Sequence, residues 1–515
     1  MRITNGIINN NTKSNILVNK EYSDKYNTMV ATGQKITRPS DDPIVAIRAL
    51  RLNNNISEIN QYHGKNIPDA EAWLEVTETA LKQTEGVLSD VQKYLTQGAS
   101  DDNTPEDRKN ILENLKALRD QIYASGNADY AGRTVFTGYR TGESLTFMKK
   151  ESQLYTMVQN FTSDDFEEIT YVAGSRDYDP ADLGNYDPDT YNQTNVKNYT
   201  VNRLRLAYDN LTKAQTGVEG GTLPRTLTVK LKDGSSITAS VNIRPLTTDK
   251  AINDSIYTSV GSNSVTLIPD TGELILGSNI ANAMRKEGST TSFEYAKQEW
   301  ETNDPRPEHY FAAKTYDKDA QRVVRYNYTE EAPYKPDFKD QKISYEIAYN
   351  QKIEINTNAD EAFTTAIGRD VDELVQVTES CQAAYEKYQK FIAAQESGSY
   401  YDQTKLKALT DAAKKEYDYY KEKMQKMFSH GLTTFKGYTD DVNNKIAAVG
   451  SLSARLELTK SRVSDQLENF KELADENINV ELTESAIDLK NAELALEAAQ
   501  QAAAKVAKAS LLNYL

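Results

Sequence analysis

Cysteine is all but missing from this sequence: Cys381 stands alone, so no disulfide can form within the chain and no multi-cysteine metal site exists. On its helical pattern it reads as a small, half-buried apolar residue. Histidine is scarce too. His63, His309 and His430 lie far apart with no ligand-spaced partner, and each reads as a surface or helix-face residue. No stretch approaches the roughly 18 apolar residues that a membrane span needs, so no membrane insertion is expected. The opening residues Met1 to Asn10 hold too short an apolar run for the core of a cleaved leader, and export would proceed by a route without one. A basic face is also missing. The 60 Lys and Arg residues stand against 76 Asp and Glu, a net charge of −16, which excludes a nucleic-acid partner and disfavours an anionic membrane surface.

What the sequence does hold is length with little apolar content. Its 515 residues suffice for about three domains. The hydrophobic fraction of 38% lies under the roughly 45–50% of globular chains. Elongated shape or shallow cores follow from that deficit.

The first forty residues are polar and Asn-rich, with Ile7, Ile16 and Leu17 only weakly periodic. Punctuation follows at Arg38-Pro39-Ser40-Asp41-Asp42-Pro43, where Asp42 can cap a helix and Pro43 suits its first turn. Behind it Val45, Ala49, Leu52, Ile56 and Ile59 step by four and three, the seam of a coiled coil. Pro68 should kink or restart the helix. The seam resumes through Ala70, Leu74, Leu81, Leu88 and Leu95 and ends near Gly98. Thr104 and Pro105 open a second helix carrying Ile111, Leu115 and Ile122, and the two form an antiparallel hairpin.

Thr134 to Tyr139 reads as a strand, and from about 150 to 370 apolar residues alternate in short runs. Thr226–Leu231 and Ser236–Val241 flank Lys232-Asp233-Gly234-Ser235, a hairpin signature. Val265–Ile268 and Glu273–Leu276 flank Pro269-Asp270-Thr271-Gly272 in the same way. Helical periodicity returns near Val371, with breaks expected at Gly398 and Gly431. Val442, Val449, Leu456, Val463, Leu467 and Phe470 lie on a four-three pattern sustained over more than four heptads. A last seam holds Leu482, Leu489, Leu496 and Val506, and the chain finishes on Leu511, Leu512 and Leu515, an apolar tail that needs cover.

The fold class is therefore α+β: N- and C-terminal helices paired in a coiled-coil bundle, with a β-rich central inserted domain. No end helix can bury its stripe alone, so the two ends must meet. The expected division is residues 1–42 with 475–515, a terminal coiled-coil domain; 43–150 with 371–474, a helical bundle; and 151–370, a β-rich surface domain. The seam residues are the expected assembly positions.

Several segments resemble the bacterial flagellin superfamily. They are Thr32-Gly33-Gln34-Lys35-Ile36-Thr37-Arg38-Pro39-Ser40-Asp41-Asp42-Pro43, then Asp69-Ala70-Glu71-Ala72-Trp73-Leu74, then Gly132-Arg133-Thr134-Val135-Phe136-Thr137-Gly138-Tyr139. Ala448-Val449-Gly450-Ser451-Leu452-Ser453-Ala454-Arg455-Leu456-Glu457 follows near the far end, and Ile343–Ile347 with Ile353–Asn356 resembles the strand pair that precedes the return helices. The likeness covers about the first 145 and last 150 residues. Where filament flagellins carry Phe-Asn-Gly, this chain has Phe136-Thr137-Gly138. Its ending, Ser510 to Leu515, is more similar to the hook–filament junction branch. Pro68 and an extended helical stretch from about 371 to 435 depart from that pattern.

The resemblance implies a structural part with no enzymatic activity, a component of flagellar motility. It implies type III export without a cleaved signal and a place on the extracellular flagellum. It implies a ring of about eleven copies, closed by rotational symmetry. It further implies hook-associated protein 1, flagellin and a flagellar export chaperone as partners.

No catalytic residue, metal site or cofactor emerges from the motifs. There is no phosphate-cradling glycine loop and no nucleophile elbow. The acidic stretch Asp177-Tyr178-Asp179-Pro180-Ala181-Asp182, continuing to Asp187 and Asp189, lacks the fixed glycine and distal Glu of a calcium loop. The reading from another class is a secreted carbohydrate-binding or hydrolytic middle domain, prompted by 32 tyrosines; subunit contacts are their more ordinary use.

Overall fold

The structure is a computed structural model and describes residues 5–100, 103–176, 189–213, 217–218, 225–317, 321–327, 342–398 and 402–512, with side chains from 6 to 505. The chain opens on α1 (Asn5–Thr32) and α2 (Pro43–Gln61). Asp42 caps α2: its Oδ1 accepts from the Ile44 and Val45 amides at 2.9 and 3.2 Å, and Pro43 fills the first helical position. The kink or restart expected at Pro68 is replaced by a π-turn at Tyr62–Asn66, and α3 (Ile67–Gly98) follows without a gap. The Ile67 amide reaches back five residues to the Tyr62 carbonyl. That widened turn takes up the register slip beside Pro68, which has no N–H to give.

Next comes α4 (Pro105–Gly126), whose Thr104 and Asp107 exchange hydrogen bonds in a capping box. A two-residue pair follows, β1 (Asp129–Tyr130) with β2 (Arg133–Thr134). The strand expected to run on to Tyr139 stops there. The Thr134 hydroxyl bonds the Glu143 carbonyl at 2.7 Å and the Thr137 hydroxyl that of Arg140 at 3.0 Å. Such local bonds compete with a ladder.

The middle of the sequence is one ten-stranded sheet. Its strands are β3 (Glu151–Thr162), β4 (Phe166–Ala173), β5 (Lys197–Arg205), β6 (Thr226–Lys230), β7 (Ser236–Ile243), β8 (Ser264–Ile268), β9 (Glu273–Leu276), β10 (Thr290–Trp300), β11 (Ala312–Asp317) and β12 (Arg322–Tyr326). Two short helices lie among them, α5 (Lys250–Thr258) and α6 (Ser278–Met284). The strand order is β12-β11-β3-β10-β6-β7-β8-β9-β5-β4. The described pairs are antiparallel except β7 with β8, joined by the α5 crossover. Both hairpins read from the sequence are present, as β6–β7 and β8–β9. Phe147, Tyr155, Tyr208 and Trp300 meet face and edge in the sheet's apolar core.

A second small pair, β13 (Ser344–Ala348) and β14 (Gln351–Glu354), precedes α7 (Thr365–Ser397), α8 (Gln403–Ile478) and α9 (Leu482–Leu512). Gly398, left-handed at φ 60°, ends α7 as expected. The break expected at Gly431 is absent, and α8 runs through it. The residue serves packing instead: a Cβ there would lie 3.1 Å from Leu95. At Gly98 a Cβ would fall 2.2 Å from the buried Phe428 ring.

The chain divides into two compact units. One comprises Met1–Glu71, Tyr345–Ile353 and Ala454–Leu515; the other comprises Ala72–Ser344 and Glu354–Ser453. In the first, α1 and α9 lie antiparallel. Asn19 Nδ2 donates to the Ala495 carbonyl at 3.3 Å, and Gln34 bridges Asn479. The amides of Lys35 and Val480 bond Ile478 and Gly33 across the same end. The architecture is thus α+β, with paired terminal helices and a β-rich region inserted between them in sequence. Among the described residues no helix is long and apolar enough to cross a membrane.

Gly98→Ala should lower stability by about 1–3 kcal/mol through overpacking, despite alanine's better helix propensity. Urea unfolding of the full chain measures this, with an unchanged midpoint as the contrary result.

Candidate functional site

The candidate site is a surface, so the question is which apolar side chains each helix hides and which it leaves out. In the second unit the seam is deeply buried. Leu74, Leu81 and Leu88 of α3 are fully buried, and Val449 of α8 is 3% exposed. The α8 seam within the first unit is buried as well, at Leu456, Val463 and Leu467, with Phe470 half-buried.

The remaining seam positions of the first unit are shallower. On α2, Val45, Leu52 and Ile56 are half-buried, while the buried residues are Ala46, Ala49 and Ile59. On α1, the half-buried side includes Thr12, Ile16, Asn19, Ser23 and Tyr26, which leaves Ile7 and Leu17 at 50% and 57% exposure. On α9, Ser485 and Ala492 are buried, Leu489 and Leu496 half-buried, and Leu482 is 58% exposed. The side chains of Val506, Leu511 and Leu512, and Leu515 altogether, lie outside the described residues, as do Asp177 to Asp187.

Residues that sequence periodicity passed over complete the surface. Of nineteen exposed large apolar residues described, fourteen belong to the first unit. Ile44, Ile47 and Leu50 recur at intervals of three on the outer side of α2, at 52–66% exposure. Ile487 and Leu494, seven apart, share a face of α9. A template that scores one inward stripe per helix cannot register a second, outward one. Concentrated exposure of this kind makes the first unit the candidate surface.

The first unit fastens its own parts with polar contacts. Asn477 Nδ2 donates to the Val45 carbonyl at 3.0 Å, and Lys460 pairs with Glu71 at 2.6 Å. Around the π-turn, Asn66 Nδ2 donates to the Glu346 carbonyl at 2.7 Å, and the Tyr345 hydroxyl bonds Asp69. Tyr62 is held above its ordinary pKa, first by burial and then by Glu346.

Titratable groups buried in the second unit are engaged in holding structure. Arg203 of β5 reaches Glu167 of β4 and Glu273 of β9 at 2.6 Å, and Glu373 of α7 at 2.7 Å. Burial alone would raise Glu373, but the Arg203 and Arg205 guanidinium groups outweigh it and hold its pKa at about 2. Lys387 of α7 pairs with Glu416 of α8 at 2.8 Å, and the Tyr191 hydroxyl donates to the same carboxylate at 2.7 Å. Among the described residues no group of three or more His, Cys, Asp or Glu could hold a metal. The histidines stay apart: His63 in the π-turn, His309 buried against the Ser144 carbonyl at 3.1 Å, His430 exposed on α8. Cys381 is buried, and burial pushes its thiol up to about 11.

Comparison with known proteins fits this helical surface. Residues 3–141 match the bacterial flagellin N-terminal helical region. Over those residues the chain is similar to the flagellin superfamily. The chain is similar to flagellar hook-associated protein 3 of Escherichia coli K12, 28% identical over 131 residues, which is 25% of this chain and 40% of that protein. It is also similar to flagellin of Clostridium tyrobutyricum, 25% identical over 143 residues, or 28% of this chain and 38% of that one. The chain thus spans about two fifths of the length of these curated relatives. A solved putative flagellar hook-associated protein from Vibrio parahaemolyticus aligns over 85% of this chain and 100% of that one, at 12% identity and a TM-score of 0.35.

His309 gives the fold a signed pH dependence. Burial, the largest influence, pulls its pKa below the ordinary 6.5, although Glu308 beside it pulls the other way. The unfolded chain therefore binds this proton more readily, and stability falls as pH drops below about 6.5. His309→Gln should flatten that limb in melting curves taken from pH 8 to pH 5. An unaltered limb in the variant counts against the assignment.

Proposed function

We propose that this protein is a structural, non-enzymatic subunit of the bacterial flagellum that forms the junction between hook and filament. It joins the hook, through hook-associated protein 1, to the flagellin filament. The observation that carries this reading is the crowding of exposed apolar residues onto the first unit, the unit that holds the paired ends of the chain. A surface of that composition needs a partner, and copies of the same chain supply it in a closed ring of about eleven. In this reading residues 1–42 and 475–515 form the inner layer of the ring. Residues 43–150 with 371–474 surround it, and residues 151–370 face solvent. The assembly positions are the exposed and half-buried seam residues of α1, α2 and α9 together with the outward stripe of α2, while the buried seam residues of α3 and α8 hold the chain's own fold. Export runs through the flagellar type III system with a chaperone, and the working location is extracellular.

Filament flagellin is the second reading, supported by the similarity to the Clostridium tyrobutyricum protein. Electron microscopy of a strain lacking this chain separates the two. Bare hooks without filaments support the junction, provided that the purified protein alone builds no filaments. Spontaneous filaments of the purified protein support the flagellin.

The α2 stripe yields a sharper expectation. Ile44→Ser, Ile47→Ser and Leu50→Ser together should leave the monomer folded, because all three side chains are more than half exposed. Assembly should fail in the triple variant. Circular dichroism with light scattering reads both, and wild-type assembly sinks the proposed role for this face. Removing the last ten residues should also abolish attachment while leaving the aromatic near-ultraviolet signal of the sheet domain intact. Normal filament attachment in that strain refutes it.

A further inference from the structure

Charge in this acidic molecule reverses locally. Between Leu211 and Ile252 the chain carries six Lys or Arg against three Asp or Glu, whereas the whole chain has 60 against 76. The fold collects part of this excess at the parallel crossover, where β7, α5 and β8 frame a groove of about 700 Å³. That volume suits a small ligand, for which clefts of roughly 300–1,000 Å³ are usual. Lys213, Arg225 and Arg244 line it, with no carboxylate among the described lining residues.

The cations keep most of their donors unspent. Lys213 faces Asp270 at 3.0 Å, but the Lys213 side chain is 61% exposed, and water screens such a pair. Arg244 gives one N–H to the Ser255 hydroxyl at 3.2 Å and retains the rest of its five. Arg225 is exposed and makes no side-chain hydrogen bond or ion pair among the described residues. The rest of the lining includes the Asn242 amide and the hydroxyls of Ser259, Ser264 and Thr266, with no aromatic ring among the described residues. The Ser264 hydroxyl donates to the Gly261 carbonyl at 2.9 Å and keeps its lone pairs for a ligand donor.

Each part of that lining selects. Arginine matches the planar fork of a carboxylate. Amide and hydroxyl groups exchange hydrogen bonds with a polyhydroxylated ring. The lack of an aromatic platform removes the stacking face that a neutral sugar would need, so charge must anchor the ligand. We propose that this groove binds an acidic oligosaccharide, its carboxylate on Arg225 and Arg244 and its ring hydroxyls on Asn242 and the Ser and Thr side chains. The inference is independent of the junction reading, since the groove lies in the second unit and the apolar surface in the first.

Calorimetric titration of the monomeric full chain with a short oligogalacturonate tests it. Saturable binding is expected, about tenfold weaker for the methyl-esterified oligomer and for inorganic phosphate, each of which lacks half of the recognised chemistry. Arg225→Ala and Arg244→Gln should each weaken binding about tenfold, the usual worth of a hydrogen bond to a charged group. Lys342→Ala, at an exposed pair elsewhere in the same unit, should leave it unchanged. Arg225 is exposed, so its variant stands as the test even where Arg244→Gln perturbs the fold. No binding of oligogalacturonate overturns the proposal. So does equal binding of the ester, equal binding of phosphate, or an Arg225→Ala variant with wild-type affinity.

Discussion

The antiparallel contact between α1 and α9 is the constraint from which the first unit takes its character. Neither helix brings much apolar mass to it. No described residue of α1 is fully buried, and among the described side chains α9 buries only Ser485 and Ala492. Small and polar side chains let the two backbones approach, as Asn19 does in reaching the Ala495 carbonyl. A two-helix ribbon has one face per helix to spend on its partner and leaves the others in water. Ile7, Leu17, Ile487 and Leu494 stand on those remaining faces. Exposure here is a consequence of architecture.

The second unit solves the opposite problem. It closes its own core, with Trp73, Leu74 and Leu81 buried on the helical side and Trp300 stacked on Phe147 within the sheet. Charge locks the sheet to α7, and α7 to α8. Arg203 serves three carboxylates at once, and Lys387 with Tyr191 satisfies Glu416. Removing one member of such a set leaves partners buried and unpaired, a loss of about 3–5 kcal/mol. Buried charge fixes which residues meet, a demand that apolar packing alone leaves loose.

Much of this was legible in the sequence because the signals were local. Asp42-Pro43 and Thr104-Pro105 announce helix starts through chemistry confined to one turn, and Asp233-Gly234 announces a hairpin in the same way. Gly431 misled because glycine has two uses. A missing side chain weakens a helix, but it also admits a neighbour, and only the presence of Leu95 reveals which applies. Pro68 misled for a related reason: the π-turn that accommodates it depends on carbonyls upstream, not on the proline itself. On α1, Ile7, Ile16 and Leu17 were only weakly periodic, and of the adjacent pair Ile16 is half-buried while Leu17 is exposed; so few apolar residues leave the phase underdetermined. The outward stripe of α2 was passed over because one inward stripe per helix was sought, and the ion cluster at Arg203 had no sequence signal because it exists only once distant segments are placed.

The bridge from Gln34 to Asn479 carries a consequence in time. A ribosome adds about 5–20 residues per second, so α1 leaves the tunnel tens of seconds before its partner has been made. Contacts of such sequence separation are also the slowest to form once the chain is complete. The first helix therefore spends the whole of synthesis without its mate, polar enough in its Asn-rich opening to remain dissolved while it waits. A chain built this way postpones the pairing of its outer helices to the end.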